Sequence, residues 1–274
     1  MCHDQAVVGA WRYRKDLYRG TAEYYDRFRL PYPVALIDDL RARVPVDGDS
    51  RVLDLGCGTG QIAFALTPLV GEVWAVDQEP DAVEFGRTKS ARLGVGNIRW
   101  ITATAEDAAL DGTFDLVAIG NAFHRFDRDA VAKRLFPHVK RRGCVALLWS
   151  GTPNRGDRPW QRVLNDTLER WMDIVDARDR VPAGWQEAMD RDPSEQVLRR
   201  AGFAYEGESE FSVAHRWSLE SLTGLVYSTS SLNREALGER VDDFEADLRG
   251  QLLSCCPDGV FEQDVTFACE LARR

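Results

Sequence analysis

Val52-Leu53-Asp54-Leu55-Gly56-Cys57-Gly58-Thr59-Gly60 decides how this chain folds. A short apolar run carrying one acid ends in three glycines at alternate positions. Gln61-Ile62-Ala63-Phe64-Ala65-Leu66 then reads as the opening turns of a helix. Glycine reaches positive φ, and its missing Cβ lets a ligand approach the backbone closely. The start of the helix turns unpaired N–H groups toward that ligand. Strand, glycine turn and helix together make a cradle for a nucleotide cofactor.

Working outward, Glu72–Asp77, Asn97–Thr102, Phe114–Ile119 and Cys144–Trp149 read as further strands, with helical segments such as Gln61–Val70 and the one opened by Pro80 between them. Apolar strands alternating with helices predict a parallel sheet covered on both faces. Ligands of such sheets bind beyond the carboxyl ends of the strands. The chemistry is therefore expected at Gly56–Gly60, Asp77, Thr104–Asp107 and Gly120–His124. Asp77 closes the second strand, where a carboxylate accepts hydrogen bonds from both hydroxyls of a ribose.

Two cofactor classes fit such a unit. The dinucleotide fingerprint is G-x-G-x-x-G, but here the third glycine comes one position early and Gln61 stands where it is needed. With Asp54 ahead of the turn, LDLGCGTG at 53–60 resembles the first motif of class I S-adenosylmethionine-dependent methyltransferases. The resemblance implies an α/β, Rossmann-like seven-stranded sheet, mostly parallel with the last strand antiparallel, carrying a helical cap. It also implies S-adenosyl-L-methionine as cofactor, cradled by Gly56, Cys57, Gly58 and Gly60, with Asp77 and Gln78 at the ribose. Ala105 and Glu106 or Asp107 would then meet the adenine, Asn121 would follow the fourth strand, and Tyr25 and Arg29 would approach the methionine end. Asn121–Asp127 and Tyr25–Pro33 look like the corresponding loops of the trans-aconitate-methyltransferase-like branch, except that Arg125 stands where a tryptophan often follows the histidine.

Three regions follow. Residues 1–50 are expected to form a helical lid: a ragged stripe over 6–17, a helix from Thr21 closed by Pro31, and a helix over Val34–Val44. Tyr24, Tyr25 and Phe28 suit either a lid over the cofactor or a helix packed on the domain edge. Residues 51–150 form the S-adenosylmethionine-binding core. Residues 151–274 supply an acceptor cap and the last two strands. Their elements are expected as a helix over Pro159–Val175, a short helix from Ser194 to Ala201, a strand over Ala204–Phe211, helices over Trp217–Tyr227 and Leu232–Leu253 with serine caps, and a strand over Val265–Leu271. Trp160, Trp171, Trp185, Trp217 and Tyr227 line either an acceptor pocket or a secondary core.

The 274 residues are 44% apolar, enough for a substantial core. No apolar run approaches the ~18–20 residues needed to span a bilayer, and Met1–Gln5 opens no secretory signal, so a cytoplasmic location is expected. Basic and acidic residues balance at 20 each through residue 150, whereas 151–274 carries 15 and 24. This charge argues against nucleic acid or an anionic membrane as partner. The six cysteines include no Cys-x-x-Cys, which argues against a zinc site, the length of the chain argues against a disulfide framework, and Cys255-Cys256 reads as adjacent half-buried thiols. No magnesium-ligand set is evident either. The assembly is left open between monomer and homodimer.

Transfer of a sulfonium methyl to a small-molecule acceptor, with secondary metabolism as one setting, is the expected reaction. A cofactor-binding protein with a non-methylating or regulatory role is the alternative, and a nicotinamide-dependent oxidoreductase is disfavoured by Asp54 and Gln61. His124, beyond the fourth strand, is the candidate base or acceptor contact; its other reading is a residue that only shapes the loop.

Overall fold

The computed structural model describes residues 17–180 and 184–274; most of the helix expected over 6–17 lies outside them. The chain opens with α1 (Ala22–Phe28) and α2 (Val34–Arg43), then enters the sheet through β1 (Arg51–Leu55) and α3 (Gln61–Leu66). The alternation continues through β2 (Glu72–Asp77), α4 (Pro80–Leu93), β3 (Ile98–Thr102), β4 (Phe114–Gly120), α5 (Arg128–Leu135) and β5 (Val139–Ser150). Three helices, α6 (Pro159–Ile174), α7 (Trp185–Arg191) and α8 (Ser194–Arg200), lead to β6 (Ala204–Ser218). Then α9 (Leu219–Tyr227), α10 (Arg234–Leu237) and α11 (Val241–Cys255) precede β7 (Val260–Arg273).

The seven strands lie in the order β3-β2-β1-β4-β5-β7-β6, with β7 antiparallel to both neighbours and the other pairings parallel. The chain builds outward from β1 through β2 to β3, then returns to the other side of β1 with β4. The order therefore reverses between β1 and β4, and at such a switch point the connections leave on opposite faces and open a crevice. Gly56 ends β1 and Asn121 follows β4, so both stand at that crevice.

Side chains of β1 alternate between two cores. Val52 joins Leu36, Leu40, Ala63, Leu66 and Phe244 on one face. Leu53 and Leu55 join Val117, Ile119, Val131 and Leu198 on the other. The period of two puts Asp54 on the Val52 side, where α3 begins. Trp100 of β3 packs across both Gly60 and Gly86: a Cβ on Gly60 would stand 2.4 Å from its ring, and one on Gly86 2.2 Å. Gly60 also caps α3 at φ +88°, a left-handed conformation open to glycine.

The largest departures from the expected elements lie after residue 200. β6 runs on to Ser218 and takes Trp217 from the expected helix, because its whole length pairs with β7, from Ala204↔Arg273 to Ser218↔Val260. The helix expected over Leu232–Leu253 is two, α10 capped by Asn233 and α11, separated at Gly238 with φ +54°. The serine caps expected upstream of the helices over Trp217–Tyr227 and Leu232–Leu253 are replaced by Ser218, which lies inside the first expected helix and caps α9, and by Asn233 on α10, and Thr21 bonds the Tyr18 carbonyl rather than capping α1. α1 docks on α9: Tyr24 meets Tyr227 edge-on at 5.3 Å, and Phe28 lies against Gly224.

Gly86→Ala should lower stability despite the better helix propensity of alanine, because overpacking against Trp100 costs ~1–3 kcal/mol. Thermal unfolding by circular dichroism should show a lower midpoint, and the loss should shrink in a Trp100→Leu background. An unchanged midpoint would mean that Trp100 moves freely.

Candidate active site

At the switch point lies a cavity of about 850 Å³ including its open mouth, within the range of small-molecule and cofactor sites. Its floor is the glycine turn. The N–H groups of Gly56 and Cys57 both bond the Val76 carbonyl, at 2.8 and 3.1 Å, which draws the turn onto the end of β2. The Asp77 carboxylate accepts the Gly58 N–H at 2.8 Å on one oxygen and the Glu79 N–H at 2.9 Å on the other. Burial raises the pKa of Asp77, against the pull of those N–H groups. Each oxygen retains a lone pair for a further donor.

Behind the turn sits Asp54, 1% exposed. One oxygen accepts the Ala63 N–H of the first turn of α3 at 2.9 Å; the other is buried without a partner. Desolvation lifts its pKa to about 7, helped by the neighbouring Asp77. The roof comes from the N-terminal segment, where Tyr18, Thr21 and Tyr25 line the cavity. Burial raises the phenol pKa of Tyr25 and Tyr32.

The structure brings Tyr25, Gly56, Gly58, Asp77, Gln78, Ala105, Glu106 and Asn121 together around this space. The other expected residues stand behind or beside it. Cys57 is buried, its backbone committed to Val76 and its thiol pKa raised well above the usual range by desolvation. Gly60 is filled against by Trp100. Asp107 turns back to accept from the Thr104 hydroxyl at 2.9 Å, leaving Glu106 as the carboxylate on the wall. Arg29 donates to the Ser228 hydroxyl at 2.8 Å and covers the Tyr25 ring at 5.2 Å, so it buttresses a lining residue.

His124 also stands outside the cavity lining. Its ring packs against Trp149 and Trp185, at 5.8 and 5.5 Å, and Arg155 stands over the Trp185 ring at 4.9 Å. Desolvation, with Arg125, Arg155 and Arg128 nearby, lowers its pKa to about 3. A group that weakly basic is a poor proton acceptor near neutrality; in this structure it is a neutral member of an aromatic column.

Sequence reasoning missed the partners of Asn121. This residue has φ +50°. Its amide nitrogen donates to the Ser150 hydroxyl at 2.9 Å and the Tyr32 hydroxyl at 3.2 Å, and its oxygen accepts the Ser150 N–H at 3.0 Å. Tyr32 is flanked by Pro31 and Pro33, a local signal of a fixed turn; nothing local marks Ser150. Among the described residues no group of three or more His, Cys, Asp or Glu is placed to hold a metal ion.

The cavity fits S-adenosylmethionine on its own features. Gly58 bares backbone to a space bounded by Tyr25, where an added Cβ would meet only that ring, at 3.9 Å. Asp77 offers free lone pairs to a diol, Val76, Ala103 and Ala105 give an apolar wall for a base, and an uncompensated carboxyl, Asp54, lies behind the turn. Residues 52–143 match the methyltransferase domain family. Those residues form a class I S-adenosylmethionine-dependent methyltransferase domain.

Similarity to individual methyltransferases is broad but distant. An uncharacterized methyltransferase of Schizosaccharomyces pombe is 27% identical over 221 residues, 79% of each chain. The ubiquinone/menaquinone biosynthesis C-methyltransferase UbiE of Haemophilus ducreyi is 35% identical over 109 residues, 38% of this chain and 42% of that enzyme. A solved structure from Anaeromyxobacter dehalogenans, named for a type II methyltransferase, superposes with a TM-score of 0.62 at 23% identity, covering 90% of this chain and 98% of that chain. The last likeness is one of fold.

The buried Asp54 gives a pH signature. Its folded pKa of about 7 lies above its unfolded value, so between ~pH 4 and 7 the native state holds the extra proton and stability falls as pH rises. Asp54→Asn should match the wild type near pH 4 and exceed it at pH 8 by on the order of 2–4 kcal/mol. Urea unfolding of both proteins at the two pH values measures this. Parallel curves would show Asp54 to be ionised throughout.

Proposed function

We propose that this methyltransferase acts on a small-molecule acceptor in the cytoplasm and works by alignment, without a protein base. The observation that carries the reading is the site's construction: Asp77 and the glycine turn line a cavity roofed by α1, with Asn121, just after β4, on its wall. The partial likeness to a C-methyltransferase of quinone biosynthesis supports a small acceptor. So does the acidic C-terminal part, which disfavours nucleic acid. The sequences of Tyr25–Pro33 and Asn121–Asp127 favour the trans-aconitate-methyltransferase-like branch.

When bound, S-adenosylmethionine supplies a methyl group on a positive sulfonium, which passes to a nucleophile by in-line displacement. The protein's part is positional. Asp77 and Gln78 would hold the ribose end, while Ala105 and Glu106 would meet the base. Gly56 and Gly58 leave backbone room at the amino-acid end, and the buried Asp54 and Asp77 make the surroundings of a cation favourable. Tyr25, held down by Arg29, excludes water from above. Such alignment can lower a barrier by about 7–11 kcal/mol. The acceptor's proton, where it has one to lose, passes to solvent.

Incubation with methyl-labelled cofactor and a fractionated cell extract should put label in the small-molecule fraction and not in protein or nucleic acid. Cofactor binding without label in any fraction would support the non-methylating alternative. Asp77→Ala should weaken S-adenosylhomocysteine binding at least tenfold by calorimetry, because it removes the diol acceptor and frees the Gly58 N–H. His124→Ala should leave that binding intact and give a pH–rate profile parallel to the wild type between pH 5 and 9. Loss of a rate limb in the variant would restore His124 as a base.

A further inference from the structure

A second cleft, about 540 Å³ including its open mouth, lies at the ends of β5 and β7. Asn121 links it to the cofactor cavity: this residue lines the cavity, and both its amide ends are bonded to Ser150, which lines the cleft. The two spaces therefore share a partition one pair of side chains thick.

The polar groups of the cleft are mostly donors. Ser150 accepts from Asn121 on its hydroxyl oxygen and keeps the hydroxyl proton to give. Gln263 accepts the Trp217 indole N–H at 2.9 Å, which fixes its amide so that the NH₂ end is the one left to bind. The Thr152 hydroxyl oxygen is buried without a partner, and Thr266 adds another hydroxyl. The one acid on the wall, Asp264, is neutralised by Arg158 at 3.1 Å. Arg155 differs from these. Its guanidinium donates to a neutral group, Gln186, at 3.2 Å and stacks over Trp185, and among the described residues it has no carboxylate partner. The cleft thus carries one unbalanced positive charge, on a planar fork backed by an aromatic ring.

We infer that this cleft receives a carboxylate of the methyl acceptor, with Arg155 as its anchor and the reactive end of the acceptor toward Asn121. The inference rests on the methyl-transfer reading for the word acceptor, but the charge preference of the cleft does not. Carboxylate is the anion whose two oxygens match the guanidinium fork, and stacking on Trp185 holds that fork in one plane. Arg29 and Arg125, the other arginines near the site, do not line this cleft: Arg29 bonds Ser228 and covers Tyr25, and Arg125, on the wall of the cofactor cavity, bonds Ser230 and covers Tyr18.

Matched probes test this on the full chain saturated with S-adenosylhomocysteine. Dissociation constants for benzoate and benzamide, which differ in charge and little in shape, are measured by ligand-observed NMR. The wild type should bind benzoate at least tenfold more tightly. In Arg155→Gln the ratio should fall to within twofold, and in Arg155→Lys part of it should return. Arg155 is exposed, so both variants should keep the wild-type melting temperature and affinity for S-adenosylhomocysteine. Equal binding of the two probes by the wild type, or a preference that survives Arg155→Gln, would overturn the inference. Displacement of benzoate by an equal concentration of inorganic phosphate would overturn the assignment to carboxylate. Failure of the wild type to bind S-adenosylhomocysteine would instead remove the methyl-transfer reading, and the benzoate preference would still report on the cleft.

Discussion

The carboxylate of Asp77 takes the Gly58 N–H on one oxygen and the Glu79 N–H on the other, and the rest of the site depends on that pair of bonds. They tie the loop after β1 to the loop after β2, so the glycine turn has one conformation before any ligand arrives. A neutral side chain would make weaker bonds to both donors, since bonds to an ionised acceptor are roughly twice as strong as neutral ones. Desolvation works against the same charge. The group that holds the turn is therefore held in its costly form by the turn, and a ligand that adds donors or positive charge relieves the strain on both.

Asp54 has the opposite arrangement. It stands on a core-facing position of β1 and has a single backbone donor, the Ala63 N–H. A leucine there would pack with Val52 and Ala63 but would leave that N–H, one of the unpaired donors at the start of α3, without an acceptor. The acid thus links the two halves of the motif from beneath, while Asp77 links two strands from the side.

Much of this was legible in the sequence because the deciding signals are local. Three alternate glycines, an acid before them and one closing the next strand fix a strand–turn–helix–strand unit whose geometry is almost independent of what packs around it. The sheet followed from apolar runs too short for buried helices. What stayed illegible depends on partners distant in the chain. Trp217 reads as the first apolar position of a helix with Leu222 and Leu225, and it is a strand residue because Phe261 lies opposite it across β7. Leu232–Leu253 keeps helical spacing through Gly238, and the break there is a backbone choice that periodicity does not record. His124 sits in the reactive loop by sequence; its aromatic column requires Trp185, sixty-one residues on, and Trp149 from the neighbouring strand. Asn121 needs Tyr32 and Ser150 in the same way. Local chemistry shapes the glycine turn, whereas the surroundings of His124 and Asn121 are assembled from tertiary contacts.

The roof of the cavity has the same origin. Leu17, at its root, gives its carbonyl to both Arg180 and Asn233, and α1 rests on α9, so the roof is fastened by segments on both sides of β6. Anything that shifts those segments shifts the roof.

The length of β6 has a consequence for how copies of the chain meet. Fifteen residues of strand stand at the outer edge of the sheet, and an open edge of that length is a template for pairing with another molecule. Glu206, Glu208 and Glu210 punctuate it on the exposed side, and Gly207, at a break in register with β7, bends it. A second copy laid along the same edge would bring glutamates beside glutamates. The strand that extends the sheet is thereby made a poor seed for fibres, and any stable pairing of two copies is steered to another face.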